Sequence, residues 1–222
     1  MSINTLTHWS RLALSLGLSA LLVLPVPLVA QAQQVQSFSG RATVVRATVL
    51  GITTVISDTG PLPGSGGSLE ASLLDASAPG LVAARVAHAS TVGQGNASSS
   101  EASVADLSLT AGGNTIAADF LMARATAACT NSGPTASGTS EIVGLMINGQ
   151  GVTVSGQPNQ TISLPDGRLI INEQHSSVDN KSADITVNPL HVVIDGVADV
   201  VISSAHADVA CTGPPVCPGE TS

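Results

Sequence analysis

Beyond residue 32, apolar positions alternate with small polar ones in run after run, and none of these runs carries the spacing of an amphipathic helix. The densest run of β-branched residues is 183–211, ADITVNPLHVVIDGVADVVISSAHADVAC, broken once at Asp195-Gly196. That pattern predicts a β-hairpin at the centre of a sheet. Residues 39–57 read as one long strand in which Arg-Ala-Thr-Val occurs at Arg41 and again at Arg46. An odd spacing turns the two arginines to opposite faces unless a bulge intervenes. Residues 69–77 have some helix propensity but read as a strand, because everything around them is β. In 81–92 the positions Val82, Ala84, Val86, Ser90 and Val92 form one face. In 98–110 the inward set moves from Ala102 and Val104 to Leu107 and Leu109, which predicts a bulge at Ala105-Asp106.

Turn chemistry separates the runs. Gly93 to Asn96 turns one hairpin, Gly112 to Asn114 the next, and Asn148-Gly149 is the strongest local hairpin signal. Residues 58–67, 130–138 and 175–182 read as loops, and Pro165-Asp166-Gly167 as a turn. The sum is roughly ten strands without an amphipathic helix, an antiparallel all-β domain built as a sandwich or a barrel. A β-solenoid is the alternative, and it lacks the constant repeat that such a fold needs.

The first residues do not belong to that domain. Arg11 precedes an apolar run from Leu12 to Leu24, Pro25 and Pro27 end it, and Ala30-Gln31-Ala32 is a small-x-small signature. The run is shorter than the ~20 residues that cross a bilayer. We expect a secretory signal peptide at 1–32, an all-β domain at 33–212 and a Pro-rich tail at 213–222. The mature chain is then secreted, extracellular or held at the cell surface, without inserting in the membrane.

Composition narrows the function. The whole chain of 222 residues has a net charge of −8, and loss of Arg11 makes the mature chain more acidic still. No basic cluster exists to neutralise phosphates, so nucleic acid is not an expected partner. The only aromatic residues after the leader are Phe38 and Phe120. A carbohydrate-binding module of the usual aromatic-platform kind is therefore disfavoured, and the core must be built from Val, Ile, Leu and Ala.

Three cysteines remain, Cys129, Cys211 and Cys217. Cys129 and Cys211 end runs that close alike, ATAACT and ADVACT, and we expect them to pair, as an exported chain permits. Cys217 offers an alternative partner for Cys211, and the odd count leaves one thiol over.

Candidate chemistry is sparse. His88, His191, His206 and Asp208 are the residues we would examine for a metal or a general base. His206 and Asp208 are two apart and share a strand face. His175 completes the set of histidines after the leader. Asp179, Asn180 and Asp184 make a polar group with oxygens for calcium, without EF-hand spacing. Asp58-Thr59-Gly60 matches an aspartic-protease signature once, whereas that chemistry needs two carboxylates. No Gly-x-Ser-x-Gly, His-Glu-x-x-His or phosphate loop is present.

Four segments carry a family resemblance: SGRATVVRATVLGITTVISDTGPLP from Ser39, AHASTVGQG from Ala87, INGQGVTVSGQPNQTISLPDGRLIINEQ from Ile147, and ITVNPLHVVIDGVADVVISSAHADVAC from Ile185. Together they resemble the bacterial exported proteins of the choice-of-anchor P family, over nearly all of the mature chain. The resemblance implies export and retention at the surface, and no activity. Gly219 to Ser222 shows no terminal apolar segment or basic tail, so the expectation is release, attachment through a partner, or a sequence that is truncated. Our reading is a structural or adhesive protein, not an enzyme, with no cofactor and an unknown surface or matrix component as partner. The alternatives are a metal-binding module or hydrolase using His206 and Asp208, and a small-ligand binder.

Overall fold

The computed structural model describes residues 34–212, which form thirteen strands and no helix. The expected leader, the Pro-rich tail and Cys217 lie outside the described residues. In chain order the strands are β1 (Val35–Val49), β2 (Ile52–Asp58), β3 (Gly67–Ala78), β4 (Val82–Gln94), β5 (Ala97–Ala111), β6 (Asn114–Thr130), β7 (Gly133–Val143), β8 (Met146–Ile147), β9 (Gln150–Gly151), β10 (Gln160–Leu164), β11 (Gly167–Val178), β12 (Ser182–Ile194) and β13 (Ala198–Cys211). One sheet has the order β10-β11-β12-β13-β1-β2. The other has the order β3-β4-β5-β6-β8-β9, with β7 also paired to β6. All neighbours are antiparallel and neither sheet closes on itself, so the domain is a β-sandwich, not a barrel or a solenoid. The β12–β13 hairpin turns at Asp195-Gly196 and occupies the middle of its sheet, as its β-branched density predicts.

Several expectations need correction. Residues 39–57 are two strands, because Leu50 and Gly51 both take positive φ, 48° and 81°, and close a two-residue hairpin. The apolar flanks Val49 and Ile52 hid that turn. The expected loops at 130–138 and 175–182 shrink to tight turns, and β7 and β11 continue through most of them. The strand count exceeds the expected ten because residues 39–57 form two strands and β7 is followed by the short pair β8 and β9. Val86 and Val92 are exposed, and the buried set of β4 is Val82 and Ala84, then Ala87, Ala89, Thr91 and Gly93.

That last correction has a general cause. A strand shows the same face every second residue, yet many strands here change phase midway. In β13 the core-facing positions are Ala198, Val200 and Ile202, then Ala205, Ala207 and Val209. In β12 they are Ala183, Ile185 and Val187, then Leu190, Val192 and Ile194. In β1 the change falls between Val44 and Val45. Register is kept through the break: Thr43 pairs with Ser204 and Val45 with Ile202, Glu173 with Asn188 and Ile171 with Leu190. The strands β2, β1, β13, β12 and β11 therefore carry the extra residue in one transverse row, through Ser57, Val44, Ser203, Pro189 and Asn172, and Asn159, just before β10, continues it. Ser57, Ser203, Asn172 and Asn159 stand in the left-handed region, at φ 51°, 61°, 52° and 62°. Small or Asx side chains tolerate that conformation best. Pro189 fits a central strand because this row makes no ladder pair, so its missing N–H leaves nothing unsatisfied. The facing sheet breaks phase at Val86 and Asp106, both at φ 49°.

The core between the sheets is aliphatic, with Leu109, Ile116, Leu121, Leu169, Ile171 and Leu190 as its largest fully buried members. A second apolar cluster, including Ala125, Ala127, Ile185 and Val209, surrounds a disulfide between Cys129 of β6 and Cys211 of β13. That bond joins the two sheets across a sequence separation of 82. Gly40 marks a close approach, since a Cβ there would run into the hydroxyls of Thr91, Ser98 and Ser100 on the facing sheet.

Candidate functional site

The phase break builds a cleft on the outer face of the first sheet. Asn188 and His191 are three apart on β12 and would face opposite ways in a regular strand. The break at Pro189 puts both outward. The same break on β1 puts Arg41, Thr43 and Arg46 on that one face, the bulge condition stated for the two arginines.

Three outward rows result. The floor contains Asp58, Thr43 and Ser204, paired across β2, β1 and β13, then Asn188 and Glu173, paired across β12 and β11. One bank is Arg41, His206, Thr186 and His175, each the direct partner of the next. The other is Val55, Arg46, Val201 and His191. Together they enclose about 500 Å³, within the range of small-ligand sites.

Glu173 organises the β11–β12 end of the cleft. It is only 8% exposed, and its Oε2 accepts from Asn188 Nδ2 at 2.7 Å and from His191 Nδ1 at 3.0 Å. His175 Nε2 lies 3.3 Å from Oε1. The His191 hydrogen bond, aided by Asn188, outweighs burial and lowers the Glu173 carboxyl to about 2. In return Glu173 raises the His191 pKa against the cost of its own burial, with Asp199 adding to the effect. Nε2 of His191 is 3.3 Å from Asp199 Oδ1, without hydrogen-bond geometry. His191 is thus held between two carboxylates, which favour its protonated form.

At the other end Arg41 grips Asp58 with two hydrogen bonds, Nε to Oδ1 at 2.8 Å and Nη2 to Oδ2 at 2.7 Å, and Thr43 donates to Oδ1 at 2.7 Å. The guanidinium holds the Asp58 carboxyl below its usual range. The protease-like Asp58-Thr59-Gly60 is therefore a paired strand end. Arg46 makes no ion pair among the described residues. Asn188 Oδ1 on the floor, and Ser203 Oγ in the phase-break row, are buried without a hydrogen-bond partner.

The residues singled out from sequence are partly brought together. His191 and His206 line one cleft. His88 does not join them: it lies on the outer face of the second sheet, 2.9 Å from Ser72 Oγ. His206 hydrogen-bonds Asp184 through Nε2 at 2.8 Å, not Asp208. Asp208 sits one row beyond the cleft, directly opposite Asp184. Burial, then the Asp184 charge, raise its pKa. Asp179 accepts the N–H groups of Lys181 and Ser182, both at 2.7 Å, and so caps a hairpin turn. No group of three or more His, Cys, Asp or Glu among the described residues is placed to hold a metal ion. Sequence reasoning missed Glu173 and Asn188 as site residues. The available signal was a carboxylate two residues beyond the apolar run Leu169 to Ile171, and an amide before a mid-strand proline.

Fold and cleft define an antiparallel β-sandwich with a polar transverse cleft on one outer face. Compared with known protein families, curated proteins and solved structures, the chain matches none.

Proposed function

We propose that this is an exported, non-enzymatic surface protein, structural or adhesive, that acts by holding a surface or matrix component in the transverse cleft. One observation carries the non-enzymatic part. His191, the best-buried imidazole of the cleft, faces a carboxylate at each ring nitrogen, so neither nitrogen is presented to a ligand as a base. Glu173, lowered to about 2, stays ionised and makes a poor proton donor at neutral pH. The leader-like residues 1–32, the inter-sheet disulfide and the resemblance to choice-of-anchor P proteins support export. A hydrolase on His206 and Asp208 draws less support, because His206 is bonded to Asp184.

The test incubates the purified mature protein with bacterial envelope and extracellular polysaccharide fractions. Retention of the protein without release of soluble fragments is the expected result. Fragment release that Glu173→Gln abolishes would replace this reading with a hydrolase.

A further inference from the structure

We propose that the cleft recognises a hydroxyl-bearing carboxylate, of the kind found in uronic acids, with Arg46 binding the carboxylate and the Asn188 side-chain oxygen accepting from a hydroxyl. The inference rests on the binding reading above and names its ligand class.

Two independent features point to that chemistry. Arg46 is an exposed guanidinium on one bank with no carboxylate partner among the described residues, whereas Arg41, across the floor, is already committed to Asp58. A guanidinium fork is suited to a carboxylate. Asn188 is 5% exposed, and its amide nitrogen is used by Glu173 while its Oδ1 has no partner. A buried acceptor without a donor is costly to the protein alone, and a carboxylate cannot supply that donor. A hydroxyl can. The ligand that answers both groups carries an anion and an alcohol within one small unit. His206 on the opposite bank adds a further polar contact along the groove. No Phe, Trp or Tyr lines the cleft, so stacking of a neutral sugar ring on such a side chain does not compete with this mode.

Such a unit can be a free sugar acid or one residue of an acidic polysaccharide. Titration calorimetry on the full mature chain, with galacturonate, an oligogalacturonate and neutral galactose as probes, separates them. We expect saturable binding of the acidic probes, at least tenfold weaker binding of galactose, and a tenfold or greater loss in Arg46→Gln with part recovered in Arg46→Lys. Arg46 is exposed and unpaired, so these variants should keep the wild-type melting temperature. Equal affinity for monomer and oligomer assigns a free sugar acid; a clear gain for the oligomer assigns the polymer. Absence of binding to both acidic probes, equal binding of galactose, or indifference to Arg46→Gln overturns the inference. If Arg46→Gln is retained on envelope material like wild type while no uronate binds, this ligand assignment fails and the binding function stands. Fragment release removes the binding function itself.

Discussion

Glu173 and His191 hydrogen-bond across β11 and β12 at 3.0 Å, although register pairs Glu173 with Asn188 and His191 with Ile170. Their contact depends on the extra residue that turns both outward. Removing the carboxylate leaves a buried cation with one partner fewer. Glu173→Gln is expected to cost about 3 kcal/mol, the scale of breaking a buried pair. Urea unfolding at pH 6 measures it.

The same pair shapes the pH dependence of stability. Glu173 has its carboxyl lowered from 4.5 to about 2, so its contribution is complete above 4.5 and is lost as pH falls toward 2. His191 is raised from 6.5, so its contribution is complete below 6.5 and is lost as pH rises through the higher folded value. The pair therefore contributes most between these two ordinary values. Unfolding curves across pH 2–9 should show both limbs in the wild type and shallower ones in Glu173→Gln. Equal limbs in the two proteins would refute the assignment.

Asp208 carries the opposite expectation. Its raised pKa, from burial first and Asp184 second, means that ionisation costs stability at neutral pH. Asp208→Asn should stabilise the domain by about 0.5–1 kcal/mol at pH 7, the scale of a cross-strand like-charge pair. The gain should vanish once the pH falls below the ordinary carboxylate range. Paired thermal melts at pH 7 and pH 3 check both parts.

Cys129 and Cys211 close a long loop between the sheets. Replacing both with alanine should lower stability by about 3–5 kcal/mol in the chain-entropy account. At roughly 2–4 °C per kcal/mol for a domain of this size, scanning calorimetry should register a fall of about 10 °C. Reduction of the wild type should reproduce it.

Ser203 is fully buried at φ 61°. Ser203→Val places a β-branched side chain in the left-handed region and should cost about 2–3 kcal/mol. Ser203→Gly should stay within about 1 kcal/mol of wild type, because glycine accepts that backbone freely and the unpartnered hydroxyl is gone. Equal losses in the two variants would show that φ is not what constrains the position.

Much of the fold was legible from residue pattern. The run from Ala183 to Cys211 announced a central hairpin, Asn148-Gly149 its tight turn, and the two Cys-ending strands their disulfide. The phase break was legible at one place, Ala105-Asp106, where the apolar set visibly slips. Elsewhere it was hidden, because Ser57 and Ser203 lie within β-branched runs that show no turn signal, and a single Asn172 is a weak sign of a left-handed backbone. The cleft shared that invisibility. Whether Arg41 and Arg46, or Asn188 and His191, share a face depends on one extra residue per strand, and pairwise spacing counted without it gives the wrong side. Glu173 escaped notice because its role comes from β12 and not from its own strand.

The transverse row of extra residues also constrains how this chain can change over generations. Deleting Pro189 alone would turn half of β12 inside out, sending Leu190 and Val192 to solvent and His191 into the core, while its neighbours kept their old phase. The sheet tolerates the extra residue because neighbouring strands share it. Single-residue deletions in these strands should therefore be far rarer among descendants of this sequence than substitutions or changes in turn length, and the groove is inherited or lost as a whole.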